Sequence, residues 1–110
     1  MGEGSCIDFD CIQVNRRFPK TETYALTNQI QRAAVSIPAN IAEGCGKDSD
    51  AELKRYFSIA MGSASELEYL LLLAHDLGYL QESIYQLMQN ELVETRKMLN
   101  AFIQRLKTNR

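Results

Sequence analysis

The 110 residues carry 12 Lys and Arg against 14 Asp and Glu, for a formal net charge of −2. That length supports one domain, able to bury about two-thirds of the surface its unfolded chain exposes without disulfides or metals, and the charge declares neither a polybasic nucleic-acid binder nor a strongly acidic tail, so any partner must be read from local charge. Cys6, Cys11 and Cys45 are odd in number and lack CxxC spacing, which points to a reduced, cytoplasmic chain, while the longest strongly apolar run, Leu70 to Ala74, falls far short of the ~20 residues of a membrane helix.

Met1 to Ser5 is Gly-rich and expected to be disordered. From Cys6 to Phe18, the apolar residues Ile7, Cys11, Val14 and Phe18 recur at spacings of four, three and four, so a short first helix is expected, stopped by Pro19. Thr21 is a reasonable N-cap for a second helix running towards Ala42. Ile30, Ala33, Ala34, Ile37 and Ile41 share one face of it, which should be buried. Pro38 sits inside that pattern, without the N–H that would bond the Ala34 carbonyl, so the helix is expected to continue with a kink. Ser36 and Asn40 flank the break with side chains able to bond backbone groups, and Gly44 is expected to end the helix as a left-handed residue.

Ser49 with Glu52 three residues later is a capping-box pattern opening the third helix. That helix runs through Leu53, Phe57, Ala60, Ala64, Leu67, Leu71 and Leu77 without a breaker until Gly78. Its middle, Gly62 to Ser65, is built of small residues, which suits a close helix crossing better than it suits helix propensity. After a turn at Gly78 to Glu82, a last helix carries Ile84 through Leu106. No repeat or strand pattern interrupts this order. Short loops between helices give an all-α, antiparallel up-down four-helix bundle, with a short first helix and a Pro-kinked second one, as a single domain over residues 1–110.

The segments QIQRAAVSIPANIAEG (Gln29 to Gly44) and ELEYLLLLA (Glu66 to Ala74), with Phe18-Pro19, Arg55 to Phe57 and MLNAFIQRL (Met98 to Leu106), resemble the bacterial family of four-helix-bundle proteins encoded in intervening sequences of 23S ribosomal RNA genes. Accessory proteins of diversity-generating retroelements look like relatives. The resemblance implies a four-helix bundle that assembles into a ring, a pentamer in the best-known cases. Self-association has a motive in the residues as well: Leu70, Leu71, Leu72 and Leu73 are apolar around nearly the whole helix, more than one bundle core covers from a single side.

No catalytic, cofactor or metal site is expected. His75 is the only histidine and Leu72 stands three residues before it, so the Glu-x-x-His pairs of a di-metal bundle are missing. No histidine lies near Cys45 in sequence to activate it, and Gly44 to Lys47 lacks the spacing of a phosphate-binding loop. The polar residues at bundle level are Gln29, Arg32, Asn40 and Glu43 on the second helix and Arg55, Glu66 and Glu68 on the third. Antiparallel packing from a turn near Gly46 sets Glu66 level with Asn28 and Gln29, and Arg55 level with Pro38. Their plain reading is hydrogen bonds and ion pairs that fix register or subunit geometry.

Charge is uneven at the C-terminus: after Glu94 no acidic residue follows, whereas Arg96, Lys97, Arg105 and Lys107 do. These cations suit the negative end of the helix dipole. Together with Arg16, Arg17 and Lys20, and repeated around an oligomer, they would form a basic surface for RNA or DNA phosphates. Tyr24, Tyr79 and Tyr85 are possible stacking residues and equally possible packing residues. The expectation is a non-enzymatic homo-oligomeric bundle that binds nucleic acid or a nucleoprotein partner; the alternative is a protein-binding scaffold with no nucleic-acid role.

Overall fold

The computed structural model describes residues 20–108, which form three antiparallel helices: α1 (Lys20–Cys45), α2 (Asp50–Asp76) and α3 (Glu82–Thr108). The expected four-helix bundle is corrected accordingly. The class is all-α, and the described residues contain three helices. The fourth was assigned to residues 6–18, which lie outside the described residues. That assignment leaned on four apolar side chains over about three turns, near the length at which a helix is marginal by itself and its pattern least diagnostic.

Local chemistry sets each boundary. Ser49 is the N-cap of α2, extended at φ −117° and ψ 151°, and its hydroxyl accepts from the Glu52 N–H at 3.1 Å. At the other end Gly78 is left-handed at φ 82°. The Gly78 N–H reaches the His75 carbonyl at 3.1 Å and the Tyr79 N–H reaches that of Ala74 at 2.9 Å, the paired bonds of a Schellman stop. Tyr79, next in the chain, is fully buried.

α1 runs unbroken through Pro38. Asn40 Nδ2 donates to the Ser36 carbonyl at 2.8 Å and to the Ser36 hydroxyl at 3.0 Å; the carbonyl it takes is not that of Ala34, which Pro38 leaves without its N–H, and the Ser36 hydroxyl bonds side chains instead. Gly44 departs from its expected role. It lies inside the helix, has no positive φ, and is buried. A Cβ there would stand 3.0 Å from Tyr56 Cβ and 3.3 Å from Leu53 Cδ1. Its work is to let α1 and α2 approach at their hairpin, for which only the absence of a side chain suffices.

α2 is the middle helix. It packs along α1 on one flank and along α3 on the other, whereas α1 and α3 scarcely touch. Ala60, Ala64 and Ala74 are fully buried, and their small size sets both approaches. The larger core joins Leu26, Ile30, Ala33, Ala34 and Ile37 of α1 to Leu67, Leu70 and Leu71 of α2 and to Met88 and Leu92 of α3. A smaller cluster near the α1–α2 hairpin joins Phe57 and Ala60 to Leu99 and Ile103. Phe57 and Phe102 meet edge to face at 5.8 Å between ring centroids. By length and composition α2 is apolar enough to cross a membrane, with a window of mean hydropathy 1.2. A helix with neighbours on two flanks requires the same composition.

Of the four leucines that argued for self-association, Leu70 and Leu71 are buried, Leu73 is half-buried against the core, and Leu72 alone is substantially exposed at 43%. With neighbours on both flanks, α2 covers most of its circumference inside one chain. Other apolar side chains remain exposed, among them Leu87, Met98 and Phe102 on α3. Spaced eleven and four residues apart, these three fall on one stripe of the helix.

Candidate functional site

The α1–α2 seam carries a polar layer at mid-height. Ser36 and Ser63 share a hydrogen bond at 2.7 Å between their hydroxyl oxygens, and Asn40 adds its amide from one turn along. Above this layer Gln29, Arg32, Ser36 and Glu66 line a cleft of about 410 Å³, which places Glu66 at the level of Gln29 as the hairpin geometry required. Among the described residues neither Arg32 nor Glu66 forms an ion pair, although they carry opposite charges in one cleft. The other polar residues singled out in sequence point elsewhere. Glu43 pairs with Lys47 at 3.6 Å, and Arg55 with Glu52 at 3.4 Å. The Arg55 guanidinium also lies 4.9 Å from the Tyr56 ring centroid; Tyr56 first and Glu52 second hold its pKa above the ordinary arginine value.

The four cations of α3 are not gathered on one patch. Arg96 bonds Glu68 of α2 at 2.6 Å, and Lys97 lies 3.9 Å from Glu94. Arg105 sits against the Phe102 ring, and Lys107 is exposed. Lys20 opens α1, while Arg16 and Arg17 lie outside the described residues. The Arg96–Glu68 pair, 28 residues apart in sequence, had no local signal to announce it.

Arg96 and Lys97 nevertheless line a second feature, the outer groove between α2 and α3. One cavity of about 530 Å³ is bordered by Tyr69 and Leu72 of α2 and by Tyr85, Gln86 and Gln89 of α3. A neighbouring one of about 450 Å³ is bordered by Met61, Arg96, Lys97 and Asn100. Val93 belongs to both, so they form one trough along the seam. Of the tyrosines marked as possible stackers, Tyr79 is 1% exposed and therefore core, Tyr24 is open to solvent, and Tyr85 borders this groove. Tyr69 was missed. Its signal was available, as the aromatic at the edge of the Leu70 to Leu73 run, where a ring left 61% exposed breaks an otherwise aliphatic stretch.

At the upper end of the groove His75 connects two helices. Its ring stacks on Tyr85 at 4.3 Å and 17°, and its Nε2 meets Glu82 Oε1 at 2.5 Å. Gln86 donates to the other Glu82 oxygen at 2.9 Å. That amide first, then the His75 hydrogen bond, hold the Glu82 carboxyl below the ordinary glutamate value. No group of three or more His, Cys, Asp and Glu suited to a metal ion occurs among the described residues.

A family model described as 23S rRNA-intervening sequence protein matches residues 7–101. The chain belongs to that family. A crystal structure at 1.70 Å resolution of a protein with unknown function from the S23 ribosomal protein family, from Bacteroides thetaiotaomicron VPI-5482, is similar in sequence and fold. The two are 31% identical with a TM-score of 0.73, over 76% of this chain and 78% of that one. No curated protein matches. In this member of the 23S rRNA-intervening sequence family, the surface features among the described residues include the α1–α2 cleft, the α2–α3 groove and the Leu87, Met98 and Phe102 stripe.

Proposed function

We propose that this chain is a non-enzymatic, self-associating helical protein that binds nucleic acid or a nucleoprotein partner, the accessory role that its resemblance to proteins of diversity-generating retroelements implies. The observation that carries the reading is the charge asymmetry of α3. Every charged residue of that helix after Glu94 is a cation, and Lys97, Arg105 and Lys107 stand at the surface. One subunit offers few phosphate contacts, so binding at physiological salt requires that these scattered cations be repeated around an oligomer. The Leu87, Met98 and Phe102 stripe supports self-association, because its three apolar side chains share one face of α3 and stay partly exposed, at 58%, 48% and 44%. Resemblance alone supplies the pentameric stoichiometry.

The test is binding to structured RNA and to duplex DNA as a function of salt, with wild type and an Arg105→Glu/Lys107→Glu variant. Electrostatic binding falls linearly with log salt and weakens on charge reversal. A wild type that binds neither ligand would turn the reading to a protein scaffold, which the net charge of −2 favours.

A further inference from the structure

The groove between α2 and α3 has a composition unlike the rest of the surface. At one end two tyrosine rings border it. Tyr69 stands free on α2, and Tyr85 is held flat by its stack on His75, itself anchored to Glu82. Between and beyond them come side-chain amides: Gln86 and Gln89, whose Nε2 groups donate to Glu82 and to the Glu68 carbonyl, then Asn100. At the other end stand Arg96 and Lys97. Of the two cations, Arg96 is bonded to Glu68 at 2.6 Å, while Lys97, its side chain 72% exposed and 3.9 Å from Glu94, is the one open to a phosphate. From Tyr85 to Asn100 the groove follows α3 for about 22 Å.

Rings that stack on flat heterocycles, amides that read their edges and cations that meet phosphates are the combination by which proteins hold unpaired nucleotides. A duplex presents its bases stacked inside and offers only grooves and backbone, which a trough with aromatic walls does not match. We propose that the α2–α3 groove is a binding site for single-stranded nucleic acid, with the bases of a few nucleotides against Tyr69 and Tyr85 and the following phosphates towards Lys97. This rests on the nucleic-acid reading above and adds the strand state and the place. The groove and the Leu87, Met98 and Phe102 stripe occupy opposite flanks of α3: Val93 is about 240° around the helix from Leu87. Self-association through the stripe leaves the groove open.

Fluorescence anisotropy tests this with a labelled mixed-sequence 12-nucleotide RNA, alone and annealed to its complement. The proteins compared are wild type, Tyr69→Ala, Tyr69→Phe and Arg105→Glu/Lys107→Glu. Tyr69 is exposed and makes no core contact, so its variants should fold; circular dichroism checks this. Wild type is expected to prefer the single strand. Tyr69→Ala is expected to weaken single-strand binding about tenfold and leave duplex binding unchanged, whereas Tyr69→Phe keeps the ring and the affinity. A wild type that prefers duplex, or a Tyr69→Ala protein that binds single strands like wild type, overturns the groove assignment. If the Arg105/Lys107 reversal still abolishes binding in that case, the general nucleic-acid reading survives without it. If wild type binds neither form, both readings fall.

Discussion

Ser36 of α1 and Ser63 of α2 face each other across the helix seam with their hydroxyl oxygens 2.7 Å apart, and Asn40 closes the group from the next turn of α1. The bond crosses the point where Pro38 removes one rung from the α1 ladder. Removing either hydroxyl should cost about 1 kcal/mol, the usual net value of a hydrogen bond. Because the two form one unit, the Ser36→Ala/Ser63→Ala double variant should lose less than the sum of the singles by about 0.5–1.5 kcal/mol. Urea denaturation of the four proteins measures the coupling. Strict additivity would show that the pair contributes nothing jointly.

Two glycines should respond to alanine with opposite sign. A Cβ at Gly44 meets Tyr56 Cβ at 3.0 Å, backed by the neighbouring helix, so Gly44→Ala should destabilise by about 1–3 kcal/mol through overpacking. At Gly62 nothing lies within 4 Å. There the change only gains helix propensity, and Gly62→Ala should stabilise by about 0.5–1 kcal/mol. Thermal melts of the two proteins check the signs directly.

Gly44 and Gly78 mark the limit of what the chain shows before it folds. A glycine near a helix end has two uses, a left-handed stop and a point of close approach, and the letter is the same for both. Gly78 performs the first and Gly44 the second. The Ser49–Glu52 cap and the level of Glu66 against Gln29 were legible because they depend on local spacing and on one tight turn. The Arg96–Glu68 pair and the α2–α3 groove depend on how two helices rotate about their axes, which no window of one helix contains. The four leucines at Leu70 to Leu73 misled for a related reason: their all-round apolarity fits a helix buried between two neighbours as well as one facing another subunit.

Leu71 and Leu87 separate folding from assembly. Leu71 is completely buried in the main core, and Leu71→Ala should cost about 2–5 kcal/mol. Leu87 is 58% exposed, so Leu87→Asp should leave the melting temperature of the dilute protein nearly unchanged. Light scattering at micromolar concentration should show a smaller particle for Leu87→Asp than for wild type. Equal masses, with wild type a monomer, would remove the case for self-association through this stripe.

The corner at Glu82 should register acid. Its pKa in the folded chain is lowered, first by Gln86 and then by His75, so the folded state favours the carboxylate. The contribution is therefore fully present above the ordinary glutamate range, near pH 4.5, and is lost as pH falls through the lower folded value. Compared across pH, the melting temperatures of wild type and Glu82→Gln should differ most above the ordinary glutamate range and converge as pH falls through the lowered folded value. A difference that persists unchanged in acid would assign the effect to packing.

Since α2 alone touches both other helices, exchange of its backbone hydrogens for deuterium should follow a particular order. Either outer helix can fray while α2 keeps one complete flank, but α2 cannot open without releasing both. Its central amides, around Ala64 to Leu71, should therefore exchange only through global unfolding, and those of α1 and α3 through smaller, earlier openings. Among the described residues helices also pack chiefly on their neighbours along the chain, so the loops to be closed are short and folding should be fast.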